Sequence, residues 1–132
     1  MEGELPDGWT LKYRPLPGRM LGETVWPTKT ITIDPRCPPA SQRCTLVHEM
    51  LHVERGPLPD EITLAAREEL TVEKATARRL VDIRELGEAL AESDHLGYVA
   101  ERLHVDPDTL TVRLKHLHPA ERAYLRRRLD QE

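Results

Sequence analysis

Two clusters of proline fence off one stretch near the middle of this chain, and that stretch limits what can be built around it. Asp34-Pro35-Arg36-Cys37-Pro38-Pro39 is a run that no helix passes through, because proline lacks an amide hydrogen and its ring clashes with the preceding turn. Gly56, Pro57 and Pro59 close the other side. Between them Ser41 is placed as an N-cap, and one helix is predicted from there to about Glu54. Thr45, Leu46, Val47, Met50, Leu51 and Val53 in this helix are uncharged, as a helix buried against a sheet requires.

The sheet must come from upstream. Residues 1–19 are rich in proline and glycine and are expected to form an N-terminal arm. It holds a short alternating stretch, Trp9 to Tyr13, that reads as a strand stopped by Pro15 and Pro17. Val25 and the run Thr30-Ile31-Thr32-Ile33 predict an extended strand with a hairpin before it, at Trp26-Pro27. Downstream the pattern changes to helical. A long helix is predicted from Asp60 or Glu61 to Val81, with Ile62, Ala65, Leu70, Val72, Ala77 and Leu80 among its apolar positions. Shorter helices follow over 82–91, from Ser93 or Asp94 to His104, from Asp106-Pro107 onward, and from Pro119 to Arg128. Strands first and helices after them give an α+β class, with a short N-terminal antiparallel sheet followed by the central helix and several more. The 132 residues suit one domain, with residues 94–132 as a small C-terminal helical subregion. With no Phe, two Trp and three Tyr, the core must be built from Leu, Val, Ile and Ala, and a metal tying segments together would support so thin a core.

The acidic start Met1-Glu2-Gly3-Glu4-Leu5-Pro6 is unlike a secretory signal, and no stretch nears the roughly 18–20 apolar residues of a membrane span. A reduced state is therefore expected for Cys37 and Cys44, with a cytoplasmic location and no membrane partner. The net charge of −4 hides a basic C-terminal segment, where Arg113, Lys115, Arg122, Arg126, Arg127 and Arg128 face one acid, Glu121. Such a segment can meet nucleic acid or an acidic protein, but a solvated helix face is the expectation.

The chemistry lies in His48-Glu49-Met50-Leu51-His52. On a helix, residues four apart project from one face, so two neutral imidazoles can bind a single Zn²⁺ at about 2.0–2.1 Å. Glu49 points about 100° further round, within reach of a water on that metal. A catalytic zinc takes three protein ligands and leaves one position open. Glu68, Glu69 and Glu73 in the next helix are candidates for the third. Glu69 and Glu73 share a face, so one can ligate while the other accepts a hydrogen bond from a ligating histidine, and Glu69 is preferred as the ligand. Pairing of these glutamates with Arg67, Lys74 and Arg78 is the plainer alternative.

The run Arg43-Cys44-Thr45-Leu46-Val47-His48-Glu49-Met50-Leu51-His52, with the later Arg67-Glu68-Glu69-Leu70-Thr71-Val72-Glu73-Lys74-Ala75, resembles the ImmA/IrrE family of zinc metallopeptidases. It is closest to short versions carried by phages and mobile elements. The resemblance spans roughly residues 20–118. It implies a zincin-like fold in which a strand precedes the HExxH helix, and a Glu-x-x-Ala-(Asn/Asp) pattern that here reads Glu69-Leu70-Thr71-Val72-Glu73. It thus assigns Glu69 as third ligand and puts Glu73 at the adjacent polar position. Leu51 stands where the family often has glycine, and Ala75-Thr76 where it has Phe-Ala.

The implied activity is zinc-dependent hydrolysis of a peptide bond with Glu49 as general base, and the implied substrate is a regulatory, repressor-like protein. A monomer is expected. No oxyanion stabiliser stands out, though His95, His104, His116, His118, Tyr98 and Tyr124 are available. Residues 98–114 are similar to a small helix-turn-helix unit, here expected to pack rather than to read DNA through Thr109, Thr111, Arg113 and Lys115. The alternative function is a non-proteolytic regulator that binds DNA or a partner and carries a structural zinc.

Overall fold

The structure, a computed structural model, describes residues 5–130. The acidic Met1–Glu4 start lies outside them. Three short strands, β1 (Thr10–Tyr13), β2 (Gly22–Val25) and β3 (Thr30–Ile33), precede six helices: α1 (Pro39–Arg55), α2 (Ile62–Leu80), α3 (Ile83–Glu92), α4 (Leu96–Leu103), α5 (Pro107–Lys115) and α6 (Pro119–Leu129). The order is the expected α+β one.

The sheet is mixed rather than antiparallel, which corrects the expectation. Its order is β1-β3-β2, with β2 antiparallel to β3 through the Trp26–Lys29 turn and β1 parallel to β3. The reason lies in residues 14–21, which do not make a hairpin but cross over the end of β3. The backbone N–H of Arg14 donates to Ile33, and that of Asp34 donates to Leu21. Buried Asp34 then receives the Leu16 amide and the Arg36 side chain, which together hold its carboxyl far below the usual carboxylate range. With the chain pinned there, β1 and β2 border opposite sides of β3, and β2 is left as an edge.

Helix α1 starts two residues before Ser41. Pro39 takes the first helical position, where its missing N–H costs nothing and its fixed φ suits the helix, and Pro38 stands at the N-cap. The helix is uncharged for most of its length because it has two apolar sides. Met50, Leu46 and Val53 pack on Ile31 and Ile33 of the sheet. Cys44, Val47 and Leu51 face the second, larger core, which includes Val72 and Leu80 of α2 and Leu86, Val99, Leu103, Leu110 and Leu125 of the later helices. The C-terminal helices therefore share one core with α1 and α2. Glu61 caps α2 by accepting from the Leu64 amide, and Asp82 and Asp106 cap α3 and α5 in the same way. Cys37 and Cys44 are both free thiols. Among the described residues no helix is long and apolar enough to cross a membrane.

Candidate active site

The side of α1 left over by the two cores carries the motif. His48 and His52 stand one turn apart with their Nε2 atoms separated by 3.2 Å. From α2, which packs against α1, Glu69 brings Oε1 to 2.8 Å from His52 Nε2 and 3.3 Å from His48 Nε2. Two imidazole nitrogens and a carboxylate oxygen thus make a nearly equilateral triangle that can hold a metal ion. The set fits zinc in chemistry and in size. Ligand atoms about 2.0–2.1 Å from Zn²⁺ on a tetrahedron stand about 3.3 Å from each other. The triangle is also open on one side, for the His48 side chain is 25% exposed and that of Glu69 is 44% exposed.

Glu49 is buried, and Thr24 Oγ1 donates to its Oε1 at 2.7 Å. Strand β2 comes this close because it opens on Gly22. A Cβ at that position would lie 2.4 Å from Thr45 Cγ2 and 3.3 Å from both Cγ and Oε2 of Glu49. Neither Thr24 nor Gly22 was singled out from sequence. A threonine in a β-branched strand carries no signal of its own, but a glycine opening a strand can mark close backbone approach.

Of the three glutamates on α2, only Glu69 reaches the histidines. Glu68 pairs instead with Arg55, which holds its carboxyl below the usual range. Glu73 is exposed and lines the cavity beside His48 and Glu49, but it forms no hydrogen bond to either histidine, so the supporting contact expected of it is not made. Two cavities meet at Glu49. One, of about 400 Å³, runs past His48 toward Glu73 and Asp108. The other, of about 450 Å³, runs past His52 toward Trp26 and Leu58. His95, His104, His116, His118, Tyr98 and Tyr124 line neither.

The family model of the IrrE N-terminal-like domain matches residues 7–115, the greater part of the chain. The chain belongs to that family of zinc metallopeptidases. In this IrrE-like domain the His-Glu-x-x-His helix and the glutamate from the following helix meet within the matched span. No curated protein and no solved structure gives a significant match.

The basic C-terminal residues of the IrrE-like domain divide into two groups. Arg113 is only 3% exposed, donates from Nε to the Val81 carbonyl, and makes a two-pronged pair with Glu121 at 3.0 and 2.7 Å. Arg78 grips the same carboxylate at 3.0 and 2.9 Å, and the two guanidiniums hold it far below the usual range. Arg128 pairs with Glu88. Lys115, Arg122, Arg126 and Arg127 stay exposed. In the helix-turn-helix-like segment Val99, Leu103, Val105 and Leu110 are buried, and Thr109 borders the cavity beside Cys44.

Proposed function

We propose that this chain is a zinc-dependent endopeptidase that hydrolyses a peptide bond in a regulatory, repressor-like protein. The observation that carries the reading is the convergence of His48, His52 and Glu69 on one point beside the buried carboxylate of Glu49. Bound by these three residues, Zn²⁺ supplies a Lewis acid and a water of lowered pKa. Glu49 does the proton work. Thr24 occupies one of its oxygens and fixes the rotamer, leaving Oε2 to take a proton from the attacking water and return it to the departing amine. β2 supports substrate alignment. It is an edge strand, with Gly22 lining both cavities and Glu23 and Thr24 the second, so an extended peptide pairing with its free edge would run close to Glu49. The choice of a regulatory protein as substrate rests on the family likeness, as does an origin in a mobile element.

The competing reading, a DNA- or partner-binding regulator with a structural zinc, has less support. Arg113, one of the four residues that could face bases, is spent on Glu121 and Val81. Metal analysis beside peptide hydrolysis separates the two. The proposal expects one zinc per chain, lost in His48→Ala and Glu69→Ala, and hydrolysis that disappears in Glu49→Gln while the zinc stays. Hydrolysis that survives Glu49→Gln would sink it.

A further inference from the structure

The two cavities that meet at Glu49 differ in chemistry, and the difference bears on what the enzyme cuts. The His48 side is polar, with Arg19, Glu73, Asp106 and Asp108 in its wall. On the His52 side the wall includes Met20, Trp26, Pro57 and Leu58. Three carboxylates also border this second cavity, but each has a partner. Glu23 is paired with Arg14, Glu49 takes the Thr24 hydroxyl, and Glu69 is held by His52. Away from the Glu49, His52 and Glu69 end, the wall of this cavity is mostly apolar.

That surface is preformed. Trp26 is held edge-on against Trp9 with ring centroids 5.0 Å apart. Leu58 follows Gly56, whose φ of 100° turns the chain sharply out of α1, and sits between Pro57 and Pro59, which stiffen the segment. Met20 and Leu58 remain 41% and 40% exposed, large side chains with surface still open to water. At about 450 Å³ the cavity falls within the range of about 300–1,000 Å³ found for small-ligand sites.

We infer that this cavity is a subsite for a large apolar side chain, of the leucine, methionine or phenylalanine kind, on one of the residues flanking the bond to be cut. The inference rests on the proposed peptidase function and names the substrate class for it. It also biases specificity to one side, because in the His48 cavity Arg19, Glu73, Asp106 and Asp108 share the wall with the apolar side chains.

N-acetyl amino-acid hydroxamates test this without a known substrate, since the hydroxamate head binds zinc and the side chain reports on the cavity. Affinity for the zinc-loaded protein would be measured by titration calorimetry for acetohydroxamate and for the glycine, leucine, phenylalanine and aspartate derivatives. Leucine and phenylalanine derivatives should bind about tenfold or more tighter than glycine, and aspartate should show no gain. The gain should fall in Leu58→Asp and in Met20→Asp, two surface substitutions checked for folding by zinc content and thermal midpoint. A flat series in which acetohydroxamate itself binds would overturn the subsite while leaving the metal centre standing. No binding of acetohydroxamate to the metal-treated protein would remove the metal centre, and the subsite with it. A gain that persists in both variants would place the apolar preference elsewhere and overturn the assignment.

Discussion

Helix α2 gives one charged residue to each of two clusters, and the clusters end in opposite states. Toward its C-terminus Arg78 joins Arg113 around Glu121, where each carboxylate oxygen receives a guanidinium from both sides and the His118 amide adds a further bond. Just before its midpoint lies Glu69, whose oxygen meets two imidazole nitrogens within 3.3 Å. Among the described residues no lysine or arginine pairs with it. Burial does not separate the two clusters, since Arg113 and His52 are both buried. Supply of charge does. Where the protein provides both signs the cluster closes on itself and stabilises the fold. Where it brings two imidazole nitrogens and a carboxylate oxygen to one point with no guanidinium or ammonium between them, the group can hold a metal.

The largest expected effect breaks chemistry on one side of this comparison without touching stability on either. Glu49→Gln keeps shape and the Thr24 contact but cannot take a proton, so peptide hydrolysis should fall about 10³-fold with zinc content unchanged. Next comes the closed cluster. Glu121→Gln leaves Arg113 buried without its counter-charge, and chemical denaturation should show a loss of about 3 kcal/mol, with zinc affinity unaltered. Slightly smaller is the stabilisation that zinc gives the open cluster. At a free concentration 100 times the dissociation constant it should amount to about 2.7 kcal/mol, seen as a rise in thermal midpoint that a chelator reverses. That rise should vanish in His52→Ala and Glu69→Ala and persist in Glu121→Gln. Equal zinc stabilisation of Glu69→Ala and wild type would dissolve the distinction between the clusters.

The two clusters were also unequally legible in sequence. His48 and His52 could be paired because four residues along a helix is a local distance, and the proline fences made that helix unavoidable. Choosing Glu69 over Glu73 needed the register between α1 and α2, a tertiary quantity, and the family pattern supplied what spacing left open. The closed cluster was misread. Arg113 was counted with a basic surface because the Val81 carbonyl it donates to and Arg78, which shares Glu121 with it, come from a turn and a helix distant in sequence, and no local pattern reports that meeting. The parallel pairing of β1, where an antiparallel sheet was expected, was missed for the same reason, since the crossover is pinned where Asp34 accepts from the Leu16 amide. Ser41 lost its place as a cap to a subtler local preference, proline at the first helical position.

Acid sharpens the comparison by a smaller amount. Glu121 has an ordinary pKa of 4.5 that Arg113, Arg78 and the His118 amide pull down in the fold. A carboxyl lowered in this way takes up its proton first in the unfolded chain, so below about pH 4.5 the unfolded state binds more protons and stability rises with pH. The contribution is full at neutral pH and is lost as pH falls below 4.5 toward the folded value. Urea midpoints of wild type and Glu121→Gln should therefore lie far apart at pH 7 and draw together at pH 3.5. A gap that stays constant over that range would mean that the pair contributes by packing and not by charge.

The smallest effect concerns the one neutral hydroxyl at the open cluster. Thr24 is a β2 residue, and among the described residues its bond to Glu49 Oε1 is the one hydrogen bond by which the edge strand orients the proposed base, as Gly22 merely allows the approach. Thr24→Val keeps the β-branched shape that the strand favours and removes the donor. Glu49 would then sample rotamers that turn Oε2 away from the attacking water, and kcat should drop about tenfold, with KM and zinc content little changed. Thr24→Ser restores the donor and should restore most of the rate, which a purely structural role for the strand does not predict. If Ser and Val behave alike, the hydroxyl does not position Glu49, and the strand matters to this site only through the space that Gly22 leaves.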